Sequence, residues 1–152
     1  MRLYRLCRAA YQELDGEGAR LNGGRWNSPG RAVVYTSSSL ALAALEYLVH
    51  LDPEDVPTDL VALTVGIPDD VASETVDASS LPAGWAQLPE PQACKSIGDA
   101  WVLEGRTPLL LVPSAPVPEE SNVLLNPRHP SAPRARIVAV RSFAFDPRLL
   151  ER

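Results

Sequence analysis

The sequence predicts an α+β domain with a mixed or antiparallel sheet and a few helices. Short β-like runs outnumber helical ones, and they do not alternate in a regular βαβα order. No G-x-G-x-x-G stands at a strand-to-helix junction and no Walker lysine follows one, so a dinucleotide or P-loop α/β fold has no footing. The chain has 152 residues, and 1–152 is read as a single domain. A chain of that size buries roughly 70% of its unfolded surface and needs no metal or disulfide staple.

The elements follow in order. Residues 2–6, RLYRL, alternate as a short strand would. A Gly-rich loop follows, DGEGARLNGGRWNSPG. RAVVYTS, 31–37, reads as a strand from its β-branched residues, its tyrosine and the Pro-Gly before it. The run 37–51, SSSLALAALEYLVHL, predicts a helix that a serine caps and Asp52-Pro53 ends. DLVALTVGI, 59–67, alternates as a strand. PQACKSIGDAWVLEG, 91–105, predicts a second helix with Cys94, Ile97, Trp101 and Val102 on its apolar face. PLLLVPS (108–114), NVLLN (122–126) and ARIVAVRSFAF (135–145) complete the strands. The 15 prolines fall mostly at 53–57, 82–91, 108–118 and 127–133, and these stretches read as rigid connections, because apolar runs continue between them.

Composition narrows the function classes. The formal net charge is −5, which argues against phosphate-backbone binding as the main activity. Arg128, Arg134, Arg136 and Arg141 gather near the C-terminus, where they form a local basic face or hold Glu119 and Glu120. Cys7, Cys94, His50 and His129 show no ligand spacing, so no metal is expected. No apolar run approaches the ~20 residues of a membrane span, and no secretory signal is seen; a cytoplasmic protein without a membrane partner is expected.

Two stretches hold the candidate chemistry. On the helix 37–51, Ser39, Ala43, Glu46 and His50 fall on one strip, while most other positions are apolar. That strip faces either water or a cleft. A carboxylate such as Glu46 is rarely buried without a partner or a task. In GGRWN, Gly23 and Gly24 permit positive φ or a close approach. Arg25 offers a planar fork suited to phosphate or carboxylate. Trp26 is either core or the wall of a ring-binding slot. Tyr35 ends the next strand.

The stretches GGRWNSPGRAVVYTSSSLALAALEYLVHL and LLLVPSAPVPEESNVLLNPRHP, with YRLCRAAY near the N-terminus, resemble the RES-domain family. These are the toxins of bacterial Xre–RES toxin–antitoxin pairs. The resemblance implies a fold like that of ADP-ribosyltransferase toxins, with a central cleft for NAD+ as substrate and no further cofactor. It implies Arg25, Tyr35 and Glu46 as catalytic residues. It implies Arg5 and a family serine, Ser114 in preference to Ser121, as substrate-binding; Trp26 and Asn126 are further residues expected to bind substrate. The implied reaction is cleavage of the nicotinamide–ribose bond with water or phosphate as acceptor. The alternative is mono-ADP-ribosylation of a host metabolic enzyme such as phosphoribosyl pyrophosphate synthetase. A ribonuclease toxin is disfavoured by the acidic balance and the presence of only two histidines. The implied partner is a cognate Xre-type antitoxin.

The charge balance generates a first prediction. The isolated chain should not shift duplex DNA at ~150 mM salt. Binding through a basic stripe would instead weaken by about one log unit per log of salt for each phosphate neutralised. A tight, salt-sensitive electrophoretic shift would contradict the expectation.

Overall fold

The computed structural model describes residues 1–151. Among them, seven strands form one sheet of order β4-β5-β6-β2-β1-β3-β7. In chain order the elements are β1 (Arg2–Arg8), α1 (Glu17–Asn22), β2 (Val34–Ser37), α2 (Leu40–Leu48), β3 (Leu60–Gly66), β4 (Ser73–Thr75), α3 (Gln92–Glu104), β5 (Leu109–Pro113), β6 (Ser121–Leu125) and β7 (Arg136–Ser142). All neighbouring strands are antiparallel except β4 and β5, which run parallel. The expected mixed α+β architecture is therefore present.

Strand alternation assigns the two faces. Leu109 pairs with Leu125 and Leu110 with Leu124. Leu109 and Leu125 join Leu3, Val34, Val65, Ile67 and Val123 on one side. Leu110 and Leu124 join Trp26, Val33, Cys94, Trp101 and Val112 on the other, beneath α3. α2 covers the far end of the sheet, where Leu48 meets Leu6, Leu60, Ala62 and Phe145. Both cysteines are buried and free; burial pushes each thiol above its ordinary pKa.

Two elements escape the sequence reading. The loop predicted over 15–30 contains α1, whose six residues lie between Gly16 and Gly23, both at positive φ. Six residues carry too little periodicity to stand out, and the flanking glycines disguise them. β4 is three residues, SET, with no apolar alternation. Its main-chain pairing with β5 makes it a strand. The long alternating run 135–145 forms β7 only over Arg136–Ser142, and it is an edge strand exposed throughout. Arg136 and Arg141 sit on this edge, as charged residues often do where a free ladder must be kept from pairing. Arg134 pairs with Asp70, rather than with the Glu119 and Glu120 considered from sequence.

The sheet has one narrow seam. β1 and β2 share a single register pair, Tyr4 with Ser37, whereas β1 and β3 pair over seven residues. The ladder therefore opens between β1 and β2.

α3 holds the Gly-rich loop by direct backbone contact. A Cβ on Gly98 would stand 1.6 Å from the Trp26 carbonyl oxygen. Backbone on both sides leaves nothing flexible to yield. Gly98→Ala should destabilise the fold by about 3 kcal/mol, the upper range for overpacking. For a chain of this length that is a fall in Tm of roughly 6–12 °C, measurable by thermal denaturation. An unchanged Tm would show that α3 does not bear on this loop.

Candidate functional site

The open seam is the floor of a cleft of about 1040 Å³. Ligand sites commonly span ~300–1,000 Å³, so the space accommodates a ligand of dinucleotide size. β1 contributes Tyr4, Arg5 and Leu6; β2 contributes Tyr35, Thr36 and Ser37; α2 contributes Ala43, Glu46 and Tyr47, and the turn after it His50. The loop Gly23–Trp26 forms one wall, and the segments 86–90 and 113–116 form another.

α2 begins at the Ser39 cap, whose hydroxyl accepts from the Leu42 N–H at 3.1 Å. Ala43 and Glu46 of its strip, with His50 just beyond its end, face the cleft, which decides between the two readings left open by the sequence. Glu46 is held at one oxygen. Its Oε1 accepts from the Ser114 hydroxyl at 2.7 Å and from the Asn122 amide at 2.6 Å. Ser114 is fully buried and also receives the Val117 N–H. Asn122 accepts in turn from the Ser37 hydroxyl at 2.7 Å. The register explains this chain: Tyr35 pairs with Leu124 and Ser37 with Asn122, so Tyr35, Ser37 and Asn122 lie on one face of the sheet. Ser121, the other serine considered from sequence, stands at the start of β6, where it pairs with Pro113 in the ladder.

The Gly-rich loop presents Arg25. A turn is closed by the Gly24 N–H donating to the Asn27 carbonyl at 3.0 Å. Gly24 admits no side chain, because a Cβ would meet the Tyr35 hydroxyl at 2.7 Å. Arg25 is half-buried, and its Nη1 donates to the carbonyls of Trp85 (2.7 Å) and Gln87 (2.9 Å). Its guanidinium thus braces the 85–90 wall and sits in no carboxylate ion pair among the described residues. Arg5 likewise spends Nη1 on the Glu13 carbonyl at 3.0 Å.

Tyr35 donates its hydroxyl to Asn27 Oδ1 at 2.7 Å and accepts from the Trp26 N–H at 3.2 Å. Burial raises the phenol pKa far above its ordinary value, so the ring stays neutral and remains a donor. Asn27 is completely buried, and its amide also donates to the carbonyls of Ala19, Ser28 and Arg31.

The cleft thus brings together Arg5, Arg25, Tyr35 and Glu46, with Ser114 directly behind the glutamate. Two of the other expected residues are placed differently. Trp26 borders the cleft but is 2% exposed, with its ring 6.3 Å from that of Trp85; it is core. Asn126 does not reach the cleft. It is 2% exposed, reaches toward the Val102 carbonyl at 3.4 Å and accepts from the Arg128 N–H. It secures the turn after β6. Sequence reasoning missed Asn122, Ser37 and Tyr47. The available signal was register: a polar residue two positions from Leu124 had to share its face.

No group of three or more His, Cys, Asp and Glu residues able to hold a metal occurs among the described residues. No helix among them is long and apolar enough to cross a membrane.

Comparison with known proteins places this arrangement. A family model described as the RES domain matches residues 2–146. The chain is 42% identical over 142 residues to the Prs ADP-ribosylating toxin of Sphingobium sp. (strain YBL2), covering 92% of this chain and 88% of that one. It is 43% identical over 130 residues to Toxin Res of Photorhabdus laumondii, covering 84% and 82%. The fold is similar to a chain in the crystal structure of the M. tuberculosis MbcT–MbcA toxin–antitoxin complex, with TM-score 0.76, 20% identity and coverage of 99% and 86%. With a family match over nearly its whole length and relatives above 40% identity, the chain belongs to the RES-domain family.

Proposed function

We propose that this protein is the toxin of a toxin–antitoxin pair and that it consumes NAD+ by cleaving the nicotinamide–ribose bond. The observation that carries the reading is Glu46: a carboxylate in a dinucleotide-sized cleft, held at one oxygen by Ser114 and Asn122 and sharing the space with Arg5 and Arg25. The C1′–N bond breaks with its electron pair passing to the pyridinium nitrogen. Nicotinamide leaves neutral, so no general acid is needed. The ribose carbon develops oxocarbenium character, as in glycoside hydrolysis. The Glu46 carboxylate stabilises that charge and hydrogen-bonds ribose hydroxyls. Arg25 and Arg5 meet the pyrophosphate with their remaining donors, and neutral Tyr35 supports the nicotinamide end. NAD+ is the substrate; no other cofactor enters the scheme.

The acceptor is water or phosphate in the first reading. The second reading is transfer of ADP-ribose to a protein. It is favoured by the 42% identity to a protein named as a Prs ADP-ribosylating toxin. A cognate antitoxin, Xre-type by the family resemblance, would keep the cleft closed in the cytoplasm, and any DNA binding by the complex would belong to it. The defining experiment incubates the purified chain with NAD+ and follows nicotinamide, with and without phosphate and lysate proteins. NAD+ binding without nicotinamide release would leave a non-catalytic nucleotide-binding module.

Glu46→Gln keeps an acceptor for Ser114 and Asn122 but removes the charge. Nicotinamide release should fall by about 10²–10³ with the fold intact, as for loss of one preorganised electrostatic partner. Wild-type turnover would place the essential carboxylate elsewhere.

Arg25→Lys keeps the charge and loses the planar fork. NAD+ binding should weaken and kcat/KM fall at least about tenfold, since the swap is not conservative at a bidentate site. Unaltered kinetics would reduce Arg25 to a brace for the 85–90 wall.

A further inference from the structure

α3 meets the Gly-rich loop through one face and at alternate loop residues. Lys95, Gly98 and Asp99 are spaced i, i+3 and i+4, so they share a side of the helix. The Lys95 ammonium donates to the Gly24 carbonyl at 2.5 Å. Gly98 lies against the Trp26 carbonyl, closely enough to exclude any side chain. Asp99 takes both hydrogen-bonding groups of Ser28: Oδ1 accepts the backbone N–H at 2.8 Å and Oδ2 the hydroxyl at 2.6 Å. Residues 24, 26 and 28 are thereby tied to the helix. The residues between them, 25 and 27, carry the other duties: Arg25 lines the cleft, and Asn27 turns inward to Tyr35.

Both ties involve an ionised group, and such bonds are roughly twice as strong as neutral ones. Lys95 and Asp99 are half-buried, so water competes weakly for them. Neither is among the residues lining the cleft. Neither belongs to the apolar face of α3 that holds the helix to the sheet through Cys94 and Trp101. Packing of the helix therefore does not account for them, whereas orientation of the loop does.

We propose that Lys95 and Asp99 are positioning residues that act on NAD+ through Arg25. They grip the main chain on either side of it, so that its guanidinium is aimed into the cleft before substrate arrives. This rests on the proposed NAD+ chemistry. A misaimed loop costs binding and orientation together, because a displacement of ~1 Å in a positioned group can cost on the order of 10²-fold in rate.

The test is a double-mutant cycle, paired with a readout that does not depend on turnover. Asp99→Ala should speed amide hydrogen exchange at Ser28 and its loop neighbours at least tenfold. It should lower kcat/KM for NAD+ about tenfold, mainly by raising KM. Asp99→Asn should restore most of both, since its oxygen still accepts from the Ser28 N–H and its amide donates to the hydroxyl. In an Arg25→Lys background, Asp99→Ala should cost little more, because residues acting through one group are not additive. Lys95→Met should show the same pattern, and it serves if Asp99→Ala does not fold. Equal fold losses in both backgrounds, or loop exchange unchanged from wild type, would overturn the proposal. If the wild-type chain releases no nicotinamide at all, the NAD+ reading fails instead. The exchange data, and the same cycle read on NAD+ binding, would still decide whether these residues position the loop.

Discussion

The side chain of Asn27 is the constraint on which the site depends. It is fully buried and uses its whole carboxamide: three carbonyls receive its N–H groups, and its oxygen receives the Tyr35 hydroxyl. Through these bonds α1 at Ala19, the turn at 24–27, the segment leading to β2 and β2 itself are referred to one point. Each such bond contributes only about 1 kcal/mol net, but a buried group left unpaired costs about 1–3 kcal/mol. No other residue type reproduces the set. An aspartate brings no donors, and a glutamine reaches one carbon too far. The Tyr35 hydroxyl then spans Asn27 and the Trp26 N–H, which fixes the peptide joining Arg25 to Trp26. Hydrogen-bond saturation around one amide thus sets the inner side of the arginine loop, while Lys95 and Asp99 hold its outer side to α3.

The seam supplies the room. Had β1 and β2 paired along their full length, the main chain at Tyr35 and Thr36 would be closed against a neighbouring strand instead of bordering the cleft. A single register pair keeps the two halves of the sheet in one domain while the rest of the ladder opens. The two halves are then held by different partners. α2 braces β1 and β3 through Leu6, Leu48 and Ala62, and α3 braces β5 and β6 through Cys94, Trp101, Leu110 and Leu124. Each wall of the cleft stands on its own apolar layer. Glu46 bridges them, since it grows from α2 yet is held by Ser114 and Asn122 at the far wall.

This division explains what could be read from the sequence. Elements with a strong periodic pattern were legible: α2, α3, β3 and β5 lie where the apolar spacing puts them, and β2 forms over Val34–Ser37 of the run 31–37. Glu46 was legible as a polar position on an otherwise apolar helix, but not the direction it faces. That depends on which strip of α2 meets the seam, a tertiary fact. Asn126 shows the reverse error. It ends a strand and is polar, yet the chain turns there and its amide is consumed by that turn. The grip of α3 on residues 24–28 joins positions about 71 apart, as in the bond from Ser28 to Asp99. No local period encodes such a contact. A glycine in mid-helix was the visible trace, because it lowers helix propensity and is kept only where something approaches closely.

The asymmetry at Glu46 has a chemical meaning. Two neutral donors, a hydroxyl and an amide, converge on Oε1 and are themselves held by Val117 and Ser37. Neither neutralises the carboxylate, as a lysine or arginine partner would. The charge remains available to the cleft, while its direction is set by groups too firmly anchored to follow a ligand. Arg25 and Arg5 are treated in a matching way, since each gives one nitrogen to main-chain carbonyls and keeps its positive charge unpaired by any carboxylate among the described residues. Opposite charges are therefore kept in one cavity and prevented from meeting by bonds to neutral groups. A dinucleotide with an anionic pyrophosphate and a cationic ring has the complementary distribution. Preorganised charge of this kind needs no reorganisation when the glycosidic bond stretches, which is where electrostatic stabilisation acts most strongly.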